Sequence, residues 1–231
     1  MTGANHLAVA LDLPDGQRAI ALADQLRGAA LVFKVGLELF TSEGPPVARE
    51  IAKRGRLFLD LKLHDIPNTV EGAARAAARL GASYLTVHAS GGRAMIEAAV
   101  RGAGHDLKIL AVTVLTSLGR SDLDDIGFEG GAHTAVLRLA RLAMAAGAHG
   151  LVCSSAEVSD LRHELGRDPM LVVPGIRPTG SEAQDQKRVG TPKTAIQAGA
   201  SLLVVGRPIL EAERPWAAAA AIAKEIEEAG Q

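Results

Sequence analysis

The residues best suited to catalysis lie in one stretch, residues 57–69, where charged side chains alternate with leucines. Asp60 and Lys62 are two positions apart on one face of a period-two pattern, which is typical of a β-strand. Both neighbouring segments have helical patterns, so we expect the strand to belong to a parallel sheet covered on both sides. Charges on such a strand are costly to bury unless they serve chemistry, so the pair marks a candidate active site. The alternative interpretation is an exposed edge strand with an ordinary ion pair.

Two further charges occupy comparable places on the two preceding predicted strands. Asp12 shares a strand face with two alanines, and Lys34 is flanked by apolar residues on the next strand. Because alternate faces of barrel strands point to the barrel axis, we expect four charges to meet near the mouth: Asp12, Lys34, Asp60 and Lys62. Their signs alternate, as a buried network needs in order to remain ionised, and a purely structural ion cluster is the alternative.

The elements that must position these residues are short apolar runs alternating with amphipathic helical segments. The predicted strands are Leu7–Asp12, Leu31–Val35, Leu57–Leu63, Tyr84–His88, Ile109–Val114, Leu151–Ser154, Met170–Pro174 and Leu202–Val205. The predicted helices are Asp15–Arg27, Gly44–Lys53, Pro67–Leu80, Gly92–Gly102, Thr134–Ala146, Ala156–Glu164, a short one from Thr194, and closing helices within Pro208–Glu228. Eight such units favour an α/β fold, a (β/α)₈ TIM barrel forming a single domain over residues 1–231, over an open doubly wound sheet.

The last two predicted strands carry a second group of candidate residues at their carboxyl ends. Gly175 and Arg177 follow the seventh strand, and Gly206 and Arg207 follow the eighth. Loops at these places in the barrel fold commonly bind phosphate, and an arginine adds a planar pair of donors. A turn glycine beside a solvated arginine is the alternative. The longest predicted loops, 116–131 and 175–190, also follow strand ends and are candidate lids.

Composition excludes several other classes of protein. The net charge is −1 and aromatic residues make up only 3 % of the chain, which argues against nucleic-acid binding. Cys153 is the single cysteine, so no internal disulfide can form, and the histidines lack metal-ligand spacing. Neither a signal peptide nor an apolar run of membrane-spanning length is visible. We therefore expect a cytoplasmic protein without a metal site, bound neither to membrane nor to nucleic acid.

Six motifs occur together along nearly the whole chain. They are Val9-Ala-Leu-Asp12, Phe33-Lys-Val-Gly36, Asp60-x-Lys62-x-x-Asp65, Thr113-Val-Leu-Thr116-Ser117, Pro174-Gly-Ile-Arg-Pro178 and Val205-Gly-Arg207. In these motifs and in their order, the chain resembles the orotidine 5′-phosphate decarboxylase family. The resemblance implies a (β/α)₈ homodimer that converts orotidine 5′-monophosphate to UMP and CO₂ in de novo pyrimidine synthesis, without a cofactor.

The resemblance also implies a role for particular residues. Lys34, Asp60 and Lys62 would form the catalytic array, completed by Asp65 of the partner subunit, with Lys62 stabilising and protonating the carbanion at C6. Thr69 would likewise reach the ligand in the other subunit, and Asp12 would hold the ribose. Thr116 or Ser117 would approach the pyrimidine, a choice that the sequence leaves open. The phosphate would be held by four residues: Arg177, Gln186, Gly206 and Arg207.

Other functions share part of this pattern. Magnesium-dependent sugar-phosphate decarboxylases and synthases of the same barrel superfamily resemble the chain through Asp-x-Lys-x-x-Asp, but they have an acid where this chain has Lys34. A non-catalytic nucleotide-binding barrel would not need the proton donor Lys62. A Schiff-base aldolase would need Lys62 as a free amine, whereas the flanking carboxylates favour its charged form.

Overall fold

The computed structural model describes residues 2–178 and 190–230. Its parallel strands close into a barrel in chain order, with β1 paired to both β2 and β8. The strands are β1 Leu7–Ala10, β2 Val32–Gly36, β3 Arg56–Leu63, β4 Ala82–His88, β5 Lys108–Val112, β6 Gly150–Val152, β7 Met170–Val173 and β8 Leu202–Val205. The predicted (β/α)₈ barrel is confirmed, and the open doubly wound sheet is excluded because β8 pairs with β1.

Helices connect the strands and cover the outside of the barrel. They are α1 Gly16–Gln25, α2 Leu37–Ala52, α3 Pro67–Arg79, α4 Arg93–Ala103, α5 Arg120–Asp125, α6 Gly131–Ala145, α7 Val158–Leu165, α8 Pro192–Ala198, α9 Arg207–Leu210 and α10 Pro215–Ala229. In the part of the chain that the structure describes, none of them is long and apolar enough to cross a lipid bilayer.

Among the described residues, two α-helical segments were not predicted. The helix expected at Gly44–Lys53 is only the second half of α2, because Gly44 has φ 66° and ψ −161° and separates two helical segments. Glycine tolerates this conformation, and the prolines that follow it fit the start of a helix. The second is α5, which lies inside the expected loop 116–131 and is capped where the Asp122 carboxylate accepts a hydrogen bond from the Gly119 N–H at 2.7 Å.

The strands separate two apolar layers. The larger layer lies between the barrel and its helices and includes the fully buried Leu57, Leu59 and Leu85. The smaller layer fills the barrel interior with residues of alternate positions, including Phe58 and Tyr84, whose rings meet edge to face with centroids 5.8 Å apart. The interior is therefore packed below the site, and side chains near the strand carboxyl ends are the ones left to line a cavity.

Candidate active site

A cavity of about 780 Å³ opens at the carboxyl ends of the strands. Eight of the predicted site residues line it: Asp12, Lys34, Asp60, Lys62, Thr116, Arg177, Gly206 and Arg207. They come from β2 and β3 and from the segments that follow β1, β5, β7 and β8. A cavity at this end of a barrel is the usual place for an active site, because loops from all strands converge there.

Three of the other predicted site residues lie outside the cavity lining, and the fourth cannot be placed because it is not among the described residues. Asp65 is exposed, and its carboxylate accepts a hydrogen bond from the Ile66 N–H at 2.6 Å. Thr69 is also exposed, so the expectation that both reach the site of a partner subunit stays a prediction. Ser117 is exposed and outside the lining, whereas its neighbour Thr116 belongs to it. Gln186 lies outside the described residues.

The four predicted charges form one continuous chain of ion pairs. The Lys34 ammonium lies 2.9 Å from Asp12 Oδ1 and 3.5 Å from Asp60 Oδ2. The other oxygen of Asp60 lies 2.8 Å from the Lys62 ammonium. The strand register accounts for this arrangement, since Lys34 of β2 is paired with Ala10 of β1 and with Phe58 of β3. The array therefore alternates in sign across three neighbouring strands, as expected from the sequence.

Burial differs along the array. The side chains of Lys34 and Asp60 are only 9 % and 15 % exposed, whereas that of Asp12 at the outer end is 51 % exposed. Burial by itself would raise the pKa of Asp60, but the charges of Lys34 and Lys62 and the hydrogen bonds from Lys62 and Thr86 outweigh it. The pKa of Asp60 thus lies below its ordinary value, and the group is a carboxylate at neutral pH.

Lys62 has an unusual backbone for a strand residue. Its φ is 48°, which makes it the sole non-glycine residue with positive φ in the described ranges 2–178 and 190–230. The pairing of β3 with β4 shifts here, because the register passes from Leu59↔Leu85 to Leu63↔Val87. Two extra residues of β3 therefore bulge at this point, and the bulge carries Lys62 to the cavity wall.

Sequence reasoning missed several residues of the site. Arg18 of α1 and Glu211 line the cavity, and Thr86 of β4 hydrogen bonds to Asp60. For Thr86 a signal existed, because it alternates on β4 with the interior residue Tyr84. Arg18 had no comparable signal, since it belongs to a helix that reads as an ordinary amphipathic cover.

His88 continues the inner face of β4 beyond Thr86. Its ring centroid lies 5.5 Å from that of His64. Burial, followed by the nearby His64 and Lys62, lowers the pKa of His88, although Asp60 opposes this effect. His88 is therefore neutral at pH 7 and adds no charge to the array.

The second predicted cluster lies at the cavity wall formed after β7 and β8. Arg177 is 7 % exposed, and its backbone N–H donates to the Gly190 carbonyl at 3.0 Å. Gly175 has φ 75°, a conformation that favours glycine, and it turns the chain between β7 and Arg177. Gly206 and Arg207 line the same cavity directly after β8. This wall offers guanidinium groups suited to an anion, and because β8 pairs with β1 it adjoins the Asp12 end of the ion-pair array: a Cβ built at Gly206 would lie 3.8 Å from Asp12 Oδ2.

We found no group of three His, Cys, Asp or Glu side chains able to hold a metal ion among the described residues. Around Asp12 and Asp60 the ammonium of Lys34 stands between the two carboxylates. The expectation that the protein has no metal site stays a prediction.

Comparison with known proteins gives the family. A model of the Orotidine 5′-phosphate decarboxylase / HUMPS family matches residues 5–222. The chain belongs to this family. Among curated relatives, orotidine 5′-phosphate decarboxylase of Anaeromyxobacter sp. (strain K) is 54 % identical over 224 residues, covering 96 % of this chain and 99 % of the relative. The orotidine 5′-phosphate decarboxylase of Thermobifida fusca is 51 % identical over 226 residues, covering 97 % of each chain.

Solved structures give the same result. The crystal structure of orotidine 5′-phosphate decarboxylase from Lactobacillus acidophilus has a TM-score of 0.86 and 40 % identity, covering 96 % of this chain and 99 % of that one. The corresponding protein of Pyrococcus horikoshii has a TM-score of 0.78 at 28 % identity, covering 96 % and 99 %. The family indicated by the six sequence motifs is thereby confirmed.

Proposed function

We propose that this protein decarboxylates orotidine 5′-monophosphate to UMP and CO₂ in de novo pyrimidine synthesis. The observation that carries the proposal is the alternating array, in which the Lys62 ammonium stands 2.8 Å from the Asp60 carboxylate on the cavity wall. Membership of the family and the names of relatives at about 50 % identity over nearly the full length support the same reaction.

The array suits a reaction that leaves a negative charge on carbon. When the bond between C6 and the carboxylate breaks, CO₂ leaves and the electron pair stays on C6. A fixed ammonium beside C6 stabilises this charge as it develops, and this is the role of Lys62 in the proposal. Lys62 then transfers a proton from Nζ to C6, which gives UMP, and the neutral amine regains a proton from solvent.

The sizes of the energies involved indicate whether ground-state repulsion or transition-state stabilisation dominates catalysis. Asp60 would face the substrate carboxylate, and two such charges at about 4 Å repel by roughly 4 kcal/mol at an effective dielectric near 20. Very slow reactions require on the order of 20 kcal/mol of barrier lowering. Repulsion in the bound substrate is therefore too small to explain the rate. Most of the effect must come from transition-state stabilisation by the preorganised array, in which Lys34 keeps Asp60 ionised and fixed.

The remaining predicted residues bind the substrate in this proposal. Arg177, Gly206, Arg207 and Gln186 hold the phosphate, Asp12 binds the ribose, and Thr116, rather than the exposed Ser117, approaches the pyrimidine. The protein acts as a homodimer in which Asp65 and Thr69 serve the other subunit's site. Binding of the remote phosphate supplies free energy for closure and alignment at the reacting carbon.

The magnesium-dependent sugar-phosphate enzymes remain the second candidate, because they share the Asp-x-Lys-x-x-Asp pattern. The position of Lys34 weighs against them. Its ammonium lies 2.9 Å from Asp12 and 3.5 Å from Asp60, so it occupies the space between the carboxylates that a divalent cation would need.

The direct test follows the loss of orotidylate absorbance with purified protein in the presence of a chelator. We expect turnover with the chelator present, and we expect Lys62→Ala to abolish it while the variant still folds and binds UMP. Lys53→Ala is the matched control, since Lys53 is an exposed lysine outside the cavity. Turnover of Lys62→Ala at the wild-type rate would defeat the assignment of Lys62, and wild-type protein without turnover would defeat the reaction.

The phosphate site has its own test. Arg207→Ala should weaken the binding of UMP far more than that of uridine, because only the nucleotide carries the group that the guanidinium holds. Arg167→Ala, at an exposed arginine outside the cavity, should change neither affinity. Equal losses for UMP and uridine in Arg207→Ala would contradict the assignment.

A further inference from the structure

A buried hydroxyl group, that of Thr86, touches the ion-pair array from the neighbouring strand. Thr86 is fully buried in β4 and lies beside the bulge of β3. Most interior positions of the barrel are apolar, including Phe58 and Tyr84 just below it. A hydroxyl at this place therefore needs a reason beyond packing, because burial of a polar group is unfavourable unless its hydrogen bonds are made.

Thr86 makes two hydrogen bonds, and both involve the array. Its Oγ1 accepts from the backbone N–H of Lys62 at 2.8 Å and donates to Asp60 Oδ1 at 3.0 Å. The direction is fixed, because an ionised carboxylate only accepts and an amide N–H only donates. Asp60 Oδ1 also accepts from the Lys62 ammonium at 2.8 Å. The Lys62 ammonium thus contacts Asp60 Oδ1 directly, and the backbone N–H of Lys62 is linked to the same oxygen through the hydroxyl of Thr86.

The backbone of Lys62 explains why such a tie is needed. A φ of 48° is disfavoured for any residue that has a Cβ. The bulge also removes the regular pairing with β4 between Leu59 and Leu63, and the N–H of Lys62 finds its partner in the side chain of Thr86. Without that hydroxyl, a partly buried N–H would lose its acceptor and the bulge would be free to relax.

We propose that Thr86 is a positioning residue for Lys62: its hydroxyl fixes the left-handed backbone of Lys62 and the orientation of Asp60, and so aims the ammonium into the cavity. The role in turnover rests on the proposed function, whereas the structural role does not. Thr86 itself needs no contact with substrate, because it acts through its two neighbours.

Three substitutions separate the hydroxyl from the packing. Thr86→Val keeps the shape and removes both hydrogen bonds, whereas Thr86→Ser keeps the hydroxyl and removes a methyl group. Thr113→Val is the control, because Thr113 is a buried threonine whose hydroxyl donates to the Val152 carbonyl at 3.1 Å, away from the array. We expect kcat of Thr86→Val to fall about 100-fold, as misplacement by about 1 Å does, with KM within about 3-fold of wild type. Thr86→Ser and Thr113→Val should stay within about 3-fold in kcat.

Several results would overturn the proposal. One is a Thr86→Val enzyme with wild-type kcat, and another is a Thr86→Ser enzyme as slow as Thr86→Val, which would assign the effect to the methyl group. Equal losses in Thr86→Val and Thr113→Val would assign it to general stability. Should Thr86→Val fail to fold, Thr86→Ala replaces it. The kcat of Thr86→Ala, which lacks the hydroxyl, is then compared with that of Thr86→Ser, which keeps it, and equal values would overturn the proposal.

A crystal structure of Thr86→Val tests the positioning role independently of the proposed reaction. We expect the Lys62 φ to leave the positive region or the distance from Lys62 Nζ to Asp60 Oδ1 to exceed 3.5 Å. If the wild-type protein does not act on orotidine 5′-monophosphate but Lys62 moves in the variant, the proposed function fails and the positioning role stands. If the wild type is active and Lys62 keeps its place in Thr86→Val, the positioning role fails.

Discussion

Replacement of Lys34 by methionine tests whether the array is held by charge or only by packing. Methionine is close to lysine in length and is compatible with a site that is 9 % exposed, so the substitution removes the charge and leaves little cavity. The lysine lies 3.5 Å from Asp60, and unit charges at this distance attract by roughly 5 kcal/mol at an effective dielectric near 20, before desolvation is subtracted. Removing one member of a buried pair destabilises proteins by about 3–5 kcal/mol.

We expect Lys34→Met to lower the free energy of unfolding by about 3 kcal/mol at pH 7, the lower end of that range, because Asp60 keeps Lys62 and Thr86 as partners. Urea denaturation measures this difference. Lys53→Met is the matched control, since Lys53 lies 2.6 Å from Glu50 but is 67 % exposed. Exposed pairs contribute at most about 1 kcal/mol, so the control should remain close to wild type.

The change of this stability difference with pH tests whether the charge of Lys34 is its cause. The pKa of Asp60 is lowered in the folded protein, so its stabilisation is complete above the unfolded value of about 3.9 and is lost as the pH falls through the folded pKa. Without Lys34, burial of Asp60 is opposed by fewer partners, and its pKa rises. The difference between wild type and Lys34→Met should therefore be largest near neutral pH and shrink towards acid. A difference that is independent of pH, or as small as that of Lys53→Met, would refute this reasoning.

Three further predictions follow from single positions. A Cβ at Gly36 would lie 3.0 Å from Asp12 Oδ1 and from Lys34 Nζ, so Gly36→Ala should fold within about 1 kcal/mol of wild type by urea denaturation and yet lose more than 10-fold in turnover; full turnover would contradict this. Burial raises the pKa of the Cys153 thiol, so this single cysteine should react with a thiol reagent only after unfolding, and rapid labelling of the native protein would count against it. Leu59→Ala, at a fully buried site, should lower the free energy of unfolding by about 2–5 kcal/mol, and a smaller loss in the same urea assay would show that the outer layer can collapse.

The barrel and the position of the charges could be predicted because both depend on local periodicity. Strands of parallel barrels alternate between two environments, so the leucines of β3 identified the outer face and Asp60 and Lys62 the inner one. The structure places both charges on the cavity wall, together with Asp12 and Lys34. Turn chemistry likewise indicated Gly175, which has φ 75° and lies two residues after the end of β7.

Features that depend on the relation between neighbouring strands could not be predicted. Over the bulge, β3 advances from Leu59 to Leu63 while β4 advances from Leu85 to Val87, and no pattern within either strand indicates such a mismatch. The backbone of Lys62 and the contact of its N–H with Thr86 follow from it. Periodicity therefore gave the correct face for Lys62 although its backbone is not extended.

Other omissions have different physical causes. The first half of α2 was missed because Gly44 and the two prolines after it resemble the start of a helix rather than a break between two. A short polar helix such as α5 has little apolar periodicity. The residue before it is Gly119, which has no side chain to act as a recognisable cap and contributes only its backbone N–H. The roles expected of Asp65 and Thr69 stay predictions, because both residues are exposed and outside the cavity of the single chain.

The pairing of β1 with β8 has a consequence for biosynthesis. Ala8 lies opposite Val204, so the first and last strands are neighbours although nearly the whole chain separates them. A polypeptide still on the ribosome cannot close the ring until Leu202–Val205 has emerged, and until then the edges of β1 and β7 are open to pairing with other chains. Asp12 and Arg207 meet at one cavity only after this last step, so a product truncated before β8 should need chaperones and have no ligand affinity.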